Sequence, residues 1–220
     1  MNAINCIAER MSIRSFKEDP VPESTLREVL TLAGRSPSYK NSQPWEVMVL
    51  SGARKAALTV EMTRLLESGA PQTPDLADPT SWPEAEEGRI HSLYQKRKET
   101  TGIDLADPSV IIRAKKANFA FYGAPHALYL YQDNSLSLWS LFDLGLFAQT
   151  LMLAAQAHGL GTVPQAFVTD YAAEIKQFLG IPTQKRLVLG LSIGYPNMES
   201  PANKLKTDRS PIDDFVRFVC

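Results

Sequence analysis

Cysteine is nearly absent from the chain. Cys6 and Cys220 are the only two, and they stand at opposite ends. Neither has a nearby partner, so a disulfide framework and a zinc site are both unexpected, and two free thiols in a reducing compartment are expected. Histidine is scarce as well: His91, His126 and His158 show no metal-ligand spacing. Charge of one sign is missing. A formal net charge of −1 offers no basic surface to nucleic acid. The N-terminus MNAINCIAER has neither a basic segment nor an apolar run, so no signal peptide is expected. No stretch reads as an uninterrupted membrane span. A cytoplasmic protein with no membrane or nucleic-acid partner is the expectation. What remains is ordinary for a globular chain: 44% hydrophobic and 21% charged residues over 220 positions, enough for one domain with a sizeable core.

Hydrophobic spacing gives the elements. In PESTLREVLTLAGR, Leu26, Val29, Leu30 and Ala33 recur at helical spacing, with Ser24 or Thr25 as the expected cap. Residues 52–68 and 89–99 also read as helices. The segment 69–83, with four prolines, reads as irregular. WEVMVL (45–50), HALYLYQ (126–132), TVPQAFV and RLVLGLSIG read as strands, and YAAEIKQFLG as a helix. The segment 136–161 is apolar nearly all round. Such a helix must be buried nearly all round, either by a second subunit or within its own core. Helices and strands mix without a strict βαβ rhythm, which predicts an α+β layered fold.

Two motifs imitate known sites. GLSIG (190–194) matches the G-x-S-x-G nucleophile elbow, but Tyr195, Pro196 and Asn197 follow where a helix must start. All three histidines also precede Ser192, against the order a hydrolase needs. Ser192 is therefore expected inside a buried strand. HGLGTVP nearly opens a dinucleotide fingerprint, but Pro164 takes the third glycine's place.

Two other stretches carry more chemistry. In RMSIRSF (10–16), Arg10, Ser12 and Arg14 point one way if the segment is extended. Two guanidiniums and a hydroxyl on one side suit a phosphate. Taken alone, arginines near a helix end are usually solvated or paired with acids. Lys204, Lys206 and Arg209 form a second basic cluster near the C-terminus. SPSYKNSQPW (36–45) crowds hydrogen-bonding groups beyond the needs of a plain turn. It reads either as a ligand-holding loop or as a rich turn that caps the preceding helix.

Three stretches together resemble the FMN-dependent nitroreductase family: residues 9–50, residues 142–167, and IGYPN…KLKTDRSPIDDFV at 193–216. The resemblance covers the chain outside about residues 68–110, which corresponds to the family's variable lid or substrate wall. It implies a three-layer α/β/α sandwich with a mixed, largely antiparallel sheet, in one domain (1–220) that forms an entwined homodimer. It further implies that FMN is bound by Arg10, Met11, Ser12 and Arg14, with Arg209 and Lys206 at the phosphate. The partner subunit's Pro37, Ser38, Tyr39 and Asn41 would line the same flavin, and Pro164, Gln165 and Ala166 would lie under its ring. Met11 stands where relatives carry a more polar residue. The neutral pair Gln165 and Ala166 stands where some carry an acid, a difference that bears on the redox potential. The implied reaction is two-electron, ping-pong reduction of nitroaromatics, quinones or similar small acceptors by NADH or NADPH, with no catalytic side chain. The alternatives are a flavin-binding protein or flavin/enone reductase without nitro specificity, and a serine hydrolase acting through GLSIG. The basic run QKRK (95–98) is expected to be a solvated helix face.

Overall fold

A computed structural model describes residues 2–219. Four segments rich in β-branched, leucine and aromatic residues become strands: β1 (Glu46–Ser51), β2 (His126–Asp133), β3 (Gly161–Gln165) and β4 (Lys185–Gly194). They lie in the order β1-β2-β4-β3, and every neighbouring pair is antiparallel. Ser12 adds a parallel bridge to Thr162 at the β3 edge. The sheet is therefore mixed, but only at that edge.

Period-two alternation sends side chains of one strand into two cores. Ala127 and Tyr129 of β2 pack with Leu58 and Met62 of α3 (Gly52–Glu67), Phe119 of α5 (Pro108–Phe119) and Ile175 of α7 (Ala172–Leu179). Leu128 and Leu130 face Leu26 and Val29 of α2 (Glu23–Ala33) and Leu144, Phe147 and Leu151 of α6 (Leu138–Ala157). Helices thus cover both faces of one sheet, an α+β three-layer α/β/α sandwich. The short α1 (Ala3–Glu9) packs on α6, and the polar α4 (Glu84–Thr101) buries none of its residues fully.

Several boundaries differ from expectation. α2 starts at Glu23 after Pro22, and neither Ser24 nor Thr25 caps it. Both lie inside the first turn, where Glu23 complements the helix dipole instead. α5 is absent from the sequence reading, although Asp107 accepts a hydrogen bond from the Ser109 N–H and Pro108 opens the helix. α6 is long and apolar enough to pass for a membrane span, with mean hydropathy 1.4, against the expectation that no stretch would. Half of that window is buried within the chain, as in a core helix. Cys6 is buried and free, whereas Cys220 lies outside the described residues.

Ser192 is fully buried in β4, with its Oγ 2.9 Å from the Phe121 carbonyl oxygen. A Cβ on Gly190 would sit 2.0 Å from Val168 Cγ2, and one on Gly194 would sit 2.5 Å from Pro125 Cδ. The glycines of GLSIG therefore permit close packing. Ser192 is not displayed as a nucleophile, which removes the basis of the hydrolase alternative through GLSIG.

The two ends of the chain are joined by Asn203, which is 2% exposed. Its Oδ1 accepts from the Arg14 N–H at 2.6 Å, and its Nδ2 donates to the Ser15 and Asn197 carbonyls at 2.8 Å. Asn203→Ala leaves the Arg14 N–H unpaired and removes one of the two bonds accepted by each of the Ser15 and Asn197 carbonyls, and should cost about 1–3 kcal/mol. The urea midpoint reads this directly; an unchanged midpoint would mean that other contacts hold the ends together.

Asp170 is also buried, and desolvation raises its pKa to about 6, against the pull of Lys115 Nζ at 3.6 Å. The folded state therefore holds this proton more tightly than the unfolded chain does. Stability from this group is complete below about pH 4 and is lost as pH rises through about 6. Asp170→Asn should gain stability over the parent at pH 7.5, and thermal melts should show the gain shrinking as pH falls toward 4.

Candidate functional site

After α1 the chain runs extended along the β3 edge. The Ile13 N–H donates to the Thr162 carbonyl at 3.0 Å, and the Ile13 side chain enters the core. A Cβ on Gly161 would stand 2.6 Å from Ile13 Cγ1, so only glycine admits this approach. With Ile13 turned inward, alternation directs Ser12 and Arg14 to the opposite side. Arg10, Met11, Ser12 and Arg14 are all half-buried.

This placement gathers positive charge. Burial, and then the charge of Arg209, hold the Arg10 guanidinium below the usual arginine range. The two basic clusters, about 200 positions apart in sequence, are thus neighbours in space. Arg10 Nη1 is buried without a hydrogen-bond partner. Burial, and then the charge of Arg14, lower the Arg97 guanidinium in the same way. Among the described residues, none of Arg10, Arg14, Arg97 and Arg209 has a carboxylate within salt-bridge distance. Of these, Arg10 and Arg97 are desolvated, and Arg10 keeps an orphaned N–H, a donor set whose chemistry suits an anion.

The C-terminal segment closes over α4. Lys96 Nζ lies 2.6 Å from Asp208 Oδ2, and a cavity of about 1250 Å³ opens between Leu93, Lys96, Arg209 and Phe215. Arg209 is exposed and donates to Thr207 Oγ1 at 2.8 Å; Lys206 is exposed on the same segment.

The loop after α2 divides its polar groups between two uses. Ser36 is buried, and its hydroxyl bonds the Ala33 carbonyl and Thr150 Oγ1, both at 2.8 Å, which secures the helix end. Ser38 Oγ accepts from the Gln43 N–H at 2.9 Å. The Tyr39 N–H donates to the Asp143 carboxylate, with 3.1 Å to each oxygen. Lys40, Asn41 and Gln43 all have positive φ (52°, 57° and 47°), a costly arrangement for non-glycine residues. Pro37, Tyr39 and Asn41 are exposed, and no hydrogen bond joins this loop to Arg10, Ser12 or Arg14 within the described chain. The helix-capping reading thus holds for Ser36, while Pro37, Tyr39 and Asn41 face outward.

At the end of β3, Pro164 and Ala166 are exposed, but the Gln165 side chain is not. Its amide donates to the Asn118 carbonyl at 3.0 Å, and its Oε1 accepts from Ser192 Oγ at 2.5 Å. Gln165 therefore presents only its backbone to the surface. Strand alternation turns the side chain into the core.

Three contributors escaped the sequence reading. Asp143 is the only charged residue in α6 and is 2% exposed, a legible sign of a special role. Arg97 was concealed in the QKRK run. Asn203 carries no local signal at all.

Comparison with known proteins matches this layout. The chain fits the Nitroreductase family model over residues 7–195. It is 34% identical over 217 residues to a 4-nitrobenzoate reductase of Nocardioides sp. (strain LMS-CY), which covers 96% of this chain and 87% of the relative. It is also 34% identical over 220 residues to nitroreductase NfnB of Mycolicibacterium smegmatis, covering 96% of this chain and 90% of the relative. The crystal structure of the FMN-dependent nitroreductase NfnB from Mycobacterium smegmatis, in complex with NADPH, superposes with a TM-score of 0.94 at 31% identity and covers 99% of this chain and 98% of that one. From its N-terminal arginine segment to the end of β4, the chain belongs to the nitroreductase family.

Proposed function

We propose that this protein is an FMN-dependent oxidoreductase that takes electrons from NADPH or NADH and reduces nitroaromatics or similar small acceptors. The observation that carries this reading is the orphaned, buried Arg10 Nη1 beside Arg209, where a dianionic phosphate fits the donor set. Arg10 and Arg209 would hold that phosphate, with Lys206 beside them. Ser12 and Arg14 would serve the ribityl chain and ring edge, with Met11 packing between them. Pro164, the Gln165 backbone and Ala166 would form the floor under the ring. When bound, FMN supplies two-electron redox chemistry. Arg14 places a fixed positive charge where negative charge is to be stabilised. No side chain is assigned as acid or base. Donor and acceptor would take turns at one site, giving ping-pong kinetics.

The site is completed by a second copy of the chain. Leu138, Trp139 and Phe142 of α6 are 78%, 61% and 59% exposed, and Ile4 and Ile7 of α1 are 77% and 63% exposed. Tyr39 stacks on Trp139 at 6.0 Å. An apolar face this large is favourable only when covered. A homodimer built on it would bring the partner's Pro37, Ser38, Tyr39 and Asn41 toward the flavin. This accounts for a strained loop whose side chains find few partners in their own chain.

The purified protein should be yellow, release FMN on denaturation and bleach on anaerobic addition of NADPH or NADH. Bound FMN that neither donor bleaches would favour a flavin-binding protein without turnover. Arg10→Ala and Arg209→Ala should each weaken FMN binding about tenfold or more, since a hydrogen bond to a charged group contributes roughly 1.5–3 kcal/mol. Fluorescence titration measures this, and wild-type affinity in both variants would locate the phosphate elsewhere. Sedimentation velocity at micromolar concentration should show a dimer; a flavin-loaded monomer would contradict the shared site.

A further inference from the structure

One stripe of α6 carries contacts that do not go to the sheet. Trp139, Asp143, Leu146 and Thr150 follow one another at helical spacing, so they share a face. All four meet the loop after α2. The Trp139 ring stacks on Tyr39, with 6.0 Å between centroids and 17° between planes. The Asp143 carboxylate accepts the Tyr39 N–H, with 3.1 Å to each oxygen. Thr150 Oγ1 lies 2.8 Å from Ser36 Oγ, and the Leu146 carbonyl oxygen lies 3.4 Å from it.

Beyond Tyr39 the loop is held by itself. Among the described residues, the hydrogen bonds of residues 40–43 run to Ser38, Tyr39 and Asn41 and to no other element. Lys40, Asn41 and Gln43 in that run have positive φ. The bond from Asp143 is the only outside hydrogen bond to the backbone of residues 37–43 among the described residues. A strained run fastened at one point relaxes when that point is released. Asp143 is a costly fastener: it is 2% exposed and has no cation within salt-bridge distance among the described residues. A carboxylate nevertheless suits the task. It accepts at both oxygens and donates at neither, so an N–H aimed between them is held from two sides. An asparagine would turn a donor toward that same N–H.

We infer that Asp143 is the positioning residue of the cofactor loop: through the Tyr39 N–H it keeps residues 37–41 in the shape in which one subunit presents them to the FMN of the other. The identity of the ligand rests on the proposed function. Being buried, Asp143 acts only through the backbone it holds.

Asp143→Ala and the near-isosteric Asp143→Asn test this, with urea midpoint and sedimenting mass as controls. In fluorescence titrations, FMN affinity should fall at least about tenfold in the alanine variant and by less in the asparagine variant, which keeps one acceptor. Trypsin reads the loop without flavin: cofactor-free protein should be cut after Lys40 faster in both variants than in the parent, and fastest with alanine. The asparagine variant carries the test by itself if alanine does not fold. Parent-like FMN affinity in folded variants overturns the inference, whether or not Lys40 is cut faster. A loss of affinity with Lys40 cut no faster assigns Asp143 to general stability and also overturns it. If the parent binds no FMN, the proposed function fails, while the cleavage rates still decide whether Asp143 orders the loop.

Discussion

The site depends on one buried amide. Asn203 bonds the backbone at Arg14, Ser15 and Asn197 and thereby fixes the N-terminal segment against the chain that follows β4. It acts with the Ser12–Thr162 and Phe16–Pro196 bridges and the Asn197 N–H bond to the Ser15 carbonyl. With them, Arg10 and Arg14 hold fixed positions at the β3 edge, and the segment carrying Arg209 returns beside Arg10. Backbone hydrogen bonds set the position, and the arginines occupy what the backbone has placed.

The consequence is a concentration of positive charge that the chain does not neutralise. Exposed ion pairs elsewhere, such as Arg27–Glu23 and Lys116–Glu67, show that acids are available to cations on this surface. The arginines of the site have none. Self-repulsion and desolvation make such a cluster unfavourable in isolation, and an anionic ligand relieves both. The same logic governs the loop after α2. Asp143 fixes the Tyr39 N–H from within an otherwise uncharged helix, and the loop keeps a conformation that its residues would not choose alone.

The open face of α6 connects fold and site. The sheet side of that helix is buried by Leu144, Phe147 and Leu151, while Leu138, Trp139 and Phe142 stay uncovered beside the strained loop. An apolar surface adjoining an incomplete polar site is the geometry expected when a second copy supplies what one chain lacks.

Much of this was legible in the residues. Alternation and helical spacing gave most elements, because burial selects apolar residues at those periods. The all-round apolar 136–161 marked a helix with more apolar surface than its own sheet covers, and the spacing of Arg10, Ser12 and Arg14 set Ser12 and Arg14 on one side of an extended segment. α5 was missed although Asp107 and Pro108 mark its start. The side-chain directions of Gln165 and Ser192 follow from strand register, which no local pattern states. The meeting of Arg10 with Arg209, the anchoring role of Asn203, and the turning inward of Arg97 among paired lysines were decided by tertiary structure alone. They are contacts between residues far apart in sequence, and periodicity carries information only about neighbours along the chain.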